Sequence, residues 1–144
     1  MTVVLDASVF VATLSPAERH HEVAKALYAL RPATTPFLVP AVFRLEVLSA
    51  LTRKGAPGGL IDTTDALIRG PSFRSVPVAA DLLEHAADLA RKAGLRAYDA
   101  LYATVAWRRQ ATLLTLDRDV VDRLKAAFPE IEVRFETAST GERR

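Results

Sequence analysis

At 144 residues the chain suffices for one domain that buries a sizeable core without disulfide or zinc staples. Half the residues are hydrophobic, a quarter are charged and none is cysteine, which excludes a disulfide framework and any thiolate metal centre and suits a reducing cytoplasm. The 19 Lys and Arg against 17 Asp and Glu, with a pI near 9.2, are compatible with a polyanionic partner without demanding one.

The chain opens MTVVLDASVF, with no basic start and an acid early in the apolar run, so no signal peptide is expected. No apolar stretch approaches the ~18 residues of a membrane span. Val3-Val4-Leu5 reads as a strand buried on both faces and ending at Asp6. Ser15-Pro16-Ala17-Glu18 supplies an N-cap, a proline at the first helical position and a capping-box glutamate, which predicts a helix up to Arg31-Pro32. Phe37-Leu38-Val39 predicts a second strand, and Pro40 starts a helix to about Lys54. A glycine-rich loop at 55–59 precedes a short helix at 60–68 and a weaker strand at 74–78. An alanine-rich helix at 79–93 is closed by Gly94, and another helix spans 98–109. A strand at 112–116, a helix at 118–128 and a strand at 131–135 complete the order. Strands alternating with helices predict an α/β, three-layer sandwich around a mainly parallel, five-stranded sheet. Residues 1–136 form a single domain, and 137–144 read as a frayed, flexible C-terminal tail.

Asp6, Glu46, Asp99 and Asp117 are distant in sequence, yet each falls where this order of elements meets the carboxyl rim of the sheet. Asp6 and Asp117 follow strands, and Glu46 lies in the second turn of the helix leaving strand two. Asp99 begins a helix that runs back against its next strand. A cluster of unpaired acids is costly unless a cation shares it, and an all-oxygen site suits Mg²⁺ or Mn²⁺. Each acid also has an ordinary reading. Asp6 opens a turn, Asp117 caps a helix, Asp99 complements a helix dipole and Glu46 pairs with Arg44 or Arg53.

At these residues the chain resembles the PIN-domain family, and within it the VapC-type toxins of toxin–antitoxin pairs. The pieces that carry the likeness are Val4-Leu5-Asp6-Ala7-Ser8-Val9-Phe10, Leu45-Glu46-Val47-Leu48-Ser49-Ala50-Leu51, Tyr98-Asp99-Ala100-Leu101-Tyr102-Ala103 and Leu114-Thr115-Leu116-Asp117-Arg118-Asp119. The resemblance implies a Mg²⁺- or Mn²⁺-dependent ribonuclease in which Asp6, Glu46, Asp99 and Asp117 form the acidic quartet. Ser8 and Thr115 match its supporting hydroxyl positions, and Asp119 is a candidate either for a further acid near the metals or for a solvated first-turn residue. It also implies a homodimer silenced by a small antitoxin protein inserted near the active site, while the cysteine-free composition and the lack of a long apolar run point to the cytoplasm and no membrane association. Water would be the nucleophile, leaving a 5′-phosphate and a 3′-hydroxyl. Arg44, Arg96 and Arg118, each within three residues of an acid, are candidates either to grip RNA phosphates or to balance the negative charge.

Other chemistries lack their signs. The sequence contains neither Gly-x-Ser-x-Gly nor Gly-x-x-x-x-Gly-Lys. His20, His21 and His85 read as surface or packing residues. Two alternatives stay open: an acidic-site phosphatase or phosphotransfer domain, and a catalytically idle RNA- or protein-binding module. The first wants an acid where Ser8 stands and a lysine beside the later acids, and none flanks Asp117.

Overall fold

The computed structural model describes residues 1–135. The expected tail at 137–144 lies outside them. Five strands, β1 (Val3–Leu5), β2 (Phe37–Pro40), β3 (Phe73–Val76), β4 (Thr112–Leu114) and β5 (Val133–Arg134), form one sheet in the order β3-β2-β1-β4-β5. Every pairing is parallel. The three central strands are buried along their whole length, whereas Arg74, Ser75 and Arg134 on the edge strands are exposed. A strand covered on both faces favours apolar side chains, the buried Thr112 being satisfied by donating to Glu132 at 2.7 Å, and charges keep the edges from pairing with other chains.

Among the described residues seven helices flank the sheet: α1 (Ala7–Thr13), α2 (His21–Tyr28), α3 (Val42–Arg53), α4 (Gly58–Ile68), α5 (Ala80–Ala93), α6 (Ala97–Arg109) and α7 (Arg118–Ala127). The α/β sandwich expected from the alternation is present. α6 lies directly against β1, β2 and β4, and it does so on small residues, Ala100, Ala103 and Ala106, all buried. Gly94 ends α5 in the left-handed conformation, at φ 71°. A side chain there would be strained, and its Cβ would stand 2.7 Å from Arg123 Nη1.

One helix was not expected. α1 starts straight after Asp6, in a stretch for which the sequence predicts no element, and its near-continuous burial explains the missing amphipathic signal. This displaces the expected capping box. Ser15 instead turns back, its hydroxyl donating to the Val11 carbonyl at 3.1 Å, and α2 begins only at His21. Phe10 anchors α1 in an aromatic cluster, with ring centroids 5.9, 5.6 and 5.3 Å from Tyr28, Phe43 and Phe73.

The strand order fixes the location of a crevice. The chain winds from β1 outward to β3, then crosses back to lay β4 on the other side of β1. The direction of winding reverses between β1 and β4, which is where open α/β sheets leave a cleft beyond the carboxyl ends of their strands.

Candidate active site

Asp6 leaves β1 at this switch point. It occupies the N-cap position of α1, yet its side chain makes no cap hydrogen bond. Instead its Oδ2 accepts from the hydroxyls of Ser8 and Thr115, each at 2.9 Å. Only 9% exposed, Asp6 has its pKa pushed up by burial, against the pull of the two hydroxyls. Thr115 ties together the two strand ends that flank the crevice, because its Oγ1 also accepts the backbone N–H of Asp117 at 3.1 Å.

Glu46 stands in the second turn of α3, beside the core face formed by Phe43, Val47 and Leu51. Its expected partners are elsewhere: Arg44 makes a two-pronged contact with Asp65 at 2.7 and 3.1 Å on the α3–α4 side. Glu46 Oε1 accepts from the phenol of Tyr102 at 2.6 Å. This contact was not expected from the sequence. The available signal was the position of Tyr102 one turn after Asp99 on the same helix face, where a buried phenol needs a polar partner.

Asp99 lies in the first turn of α6, and Asp117 caps α7 by accepting the N–H groups of Asp119 and Val120 at 2.9 and 3.4 Å. The ordinary reading of Asp117 therefore holds for one of its oxygens, Oδ1. Its other oxygen faces Arg96, whose Nη2 donates to Asp117 Oδ2 at 2.9 Å while Nε donates to Asp99 Oδ2 at 3.2 Å. Asp119 is more exposed and pairs with Arg123 at 2.8 Å. Arg118 turns its guanidinium over the Phe135 ring, 4.4 Å from the centroid.

Charge repulsion links the acids in a chain. Burial, followed by the charges of Asp6 and Asp99, raises the Glu46 carboxyl to about 6, with the Tyr102 hydrogen bond acting the other way. Asp99 is raised by burial and then by Asp117 and Asp119, against the opposing pull of Arg96. Among the described residues no three acidic, His or Cys side chains stand ready-placed around a common point. Two observations nevertheless fit a divalent cation. The donors are all hard oxygens, burial penalises the charged forms of Asp6, Glu46 and Asp99, and Asp99 and Asp117 already share one cation, the Arg96 guanidinium.

The Glu46 carboxyl also ties stability to pH in the metal-free protein. It holds its proton up to about 6 in the fold, against an ordinary value of 4.5. The native state thus binds more protons between those values, and stability falls as pH rises through that window. Glu46 is only half-buried, so solvent screening leaves about 1 kcal/mol or less of that gap as stability. Urea unfolding in EDTA, from about pH 4 to 7.5, is expected to show this loss as the difference between wild type and Glu46→Gln. Identical pH slopes for the two proteins would contradict it.

Residues 3–126 match the PIN domain. Among solved structures the chain is similar to Mycobacterium tuberculosis VapC20, described as a sarcin-ricin loop cleaving toxin, with 24% identity and a TM-score of 0.71 over 91% of this chain and 99% of that one. It is also similar to a chain of a toxin–antitoxin complex from Klebsiella pneumoniae, with 17% identity and a TM-score of 0.67 over 95% and 100% of the two chains. A third similar structure is VapBC2 from Rickettsia felis, bound to a DNA fragment from their promoter, with 15% identity and a TM-score of 0.64 over 93% and 98%. At these identities the likeness concerns the fold. A comparison with curated proteins gives no match.

Proposed function

The chain belongs to the PIN-domain family, and on that premise we propose that it is a VapC-type toxin, an endoribonuclease that depends on Mg²⁺ or Mn²⁺. The observation that carries this reading is the gathering of acids from four separate elements at the β1–β4 switch point, two of them already sharing a cation. Asp6, Glu46, Asp99 and Asp117 would hold the metal, with Asp119 at the margin. Ser8 and Thr115 orient the Asp6 carboxylate, and Tyr102 orients Glu46. A bound divalent ion supplies Lewis-acid activation of water and offsets charge on the phosphate. The acids themselves never bond to phosphorus. Water attacks it, the ribose 3′-oxygen leaves, and the products carry a 5′-phosphate and a 3′-hydroxyl.

Arg96 and Arg118 flank the acids and suit contacts with RNA phosphates, whereas Arg44 is engaged by Asp65. The outer face of α3 suits a homodimer contact, since Leu45 is 62% exposed and Leu48 lies one turn away. A small antitoxin completes the proposed partners, and the cytoplasm is the proposed compartment. Among the described residues no helix is long and apolar enough to cross a membrane.

The deciding experiment is cleavage of total RNA by the purified protein, with mapping of fragment ends. Cleavage is expected only with Mg²⁺ or Mn²⁺, to stop on adding EDTA, and to leave 5′-phosphates. Fragments ending in 2′,3′-cyclic phosphate, or cleavage indifferent to EDTA, would overturn the reading.

A further inference from the structure

Arg96 holds a position that the proposed chemistry does not explain. It precedes α6 in extended conformation, and its carbonyl accepts the Ala100 N–H at 2.9 Å, so its backbone is fixed by the helix. Its side chain is not, being 79% exposed. Both of its acid contacts fall on Oδ2 atoms, one of Asp99 and one of Asp117. The two oxygens therefore point at one shared cation. Other guanidinium groups near the rim are committed elsewhere, Arg118 over Phe135, Arg123 to Asp119 and Arg44 to Asp65.

A single positive charge is a poor match for this crevice. Arg96 and Arg123 pair with Asp99, Asp117 and Asp119, and with the charges of Asp6 and Glu46 added the acids are in excess when all are ionised. Exposed ion pairs of this kind are weak, each about 0–1 kcal/mol. A divalent ion offers twice the charge to the same oxygens, and the guanidinium needs only a side-chain rotation to leave them.

We propose that Arg96 is a tethered counter-cation that bridges Asp99 and Asp117 in the metal-free protein, is displaced from them by a divalent cation, and then takes a phosphate of the incoming RNA. The RNA part rests on the nuclease reading above. The displacement part does not. Arg96 thus sets the concentration of divalent ion at which the site fills, and it links filling to substrate capture.

The test compares wild type, Arg96→Met and Arg118→Met by Mn²⁺ calorimetry without RNA. Arg96→Met is expected to bind Mn²⁺ about 3- to 10-fold more tightly, the range set by losing one or two weak pairs. Arg118→Met removes a nearby charge that pairs with no acid among the described residues, and is expected to leave Mn²⁺ affinity close to wild type. Equal tightening in both variants, or none in Arg96→Met, overturns the displacement. A second reading uses the Arg96 side-chain Nε–H resonance, identified by its loss in Arg96→Met. It is expected to move on adding Mg²⁺, and binding of Mg²⁺ without any movement overturns the proposal. At saturating Mn²⁺, Arg96→Met is expected to raise KM for RNA about 10-fold with kcat nearly kept, the signature of a lost binding contact. A residue that merely balances the acids would tighten metal without changing KM. Failure of the wild type to bind any Mn²⁺ strikes the metal-nuclease reading itself, and this proposal with it. Metal binding unchanged in Arg96→Met strikes only the role of Arg96.

Discussion

Substituting Asp6 by Asn, or Asp99 by Asn, is expected to reduce RNA cleavage by at least about 100-fold while the protein stays folded. Losses of about 10- to 100-fold follow even when a residue that only supports a metal ligand is changed, and these two are proposed as ligands themselves. The fold should not suffer, for a reason visible in their surroundings. Both carboxyls have raised pKa values, with burial the largest cause. Without metal, then, the ionised side chain is a burden on the native state, and the neutral amide relieves it. Asn at position 6 also retains an oxygen that can accept from Ser8 and Thr115. In EDTA the melting temperature of either variant is expected to equal or exceed that of wild type. Added Mn²⁺ should raise the melting temperature of wild type well above that of the variants, because a ligand that binds only the native state stabilises it. Purified Asp6→Asn and Asp99→Asn proteins that both cut RNA at near wild-type rates would remove these residues from the site.

The second large effect concerns the fold. Phe10 is 1% exposed and meets Tyr28, Phe43 and Phe73 at once. It joins α1 to α2, α3 and β3 through one side chain. Truncation to Ala is expected to cost about 3–5 kcal/mol, the range for a buried aromatic that leaves a cavity. Against a total stability of about 5–15 kcal/mol this is a large share. Urea unfolding midpoints would show it. Leu45→Ala, on the exposed outer face of α3, provides the contrast and should change monomer stability by no more than about 0.5 kcal/mol. Equal effects at the two positions would mean that the aromatic cluster does not hold α1 in place.

The parts of the fold readable in the sequence were those with a strong local signal. The buried strands Val3–Leu5 and Phe37–Pro40 carry uninterrupted apolar runs, and Gly94 marks a helix end because left-handed geometry favours glycine. α1 was hidden because burial on nearly all sides erases the polar face by which a helix is recognised. The capping-box pattern at Ser15 misled for a related reason, since the hydroxyl finds a carbonyl of the preceding helix instead of an N–H of the next. In the candidate site, the positions of the acids followed from topology, but their partners did not. The bond from Tyr102 to Glu46 spans 56 residues, and the pairing of Arg44 with Asp65 spans 21. Contacts of that range depend on how two helices pack, which no local pattern encodes.

The placement of β1 between β2 and β4 has a consequence for synthesis. A ribosome that has joined the first 111 residues has already incorporated Asp6, Glu46 and Asp99, and the strands of the β3-β2-β1 half of the sheet. The other edge of β1 is still bare, because its neighbour at Thr112–Leu114 has yet to appear. Thr115 and Asp117, which lie across the crevice from Asp6, emerge later still. The growing polypeptide thus carries three of these acids before the strand and the Thr115 hydroxyl that close the pocket around them have been made.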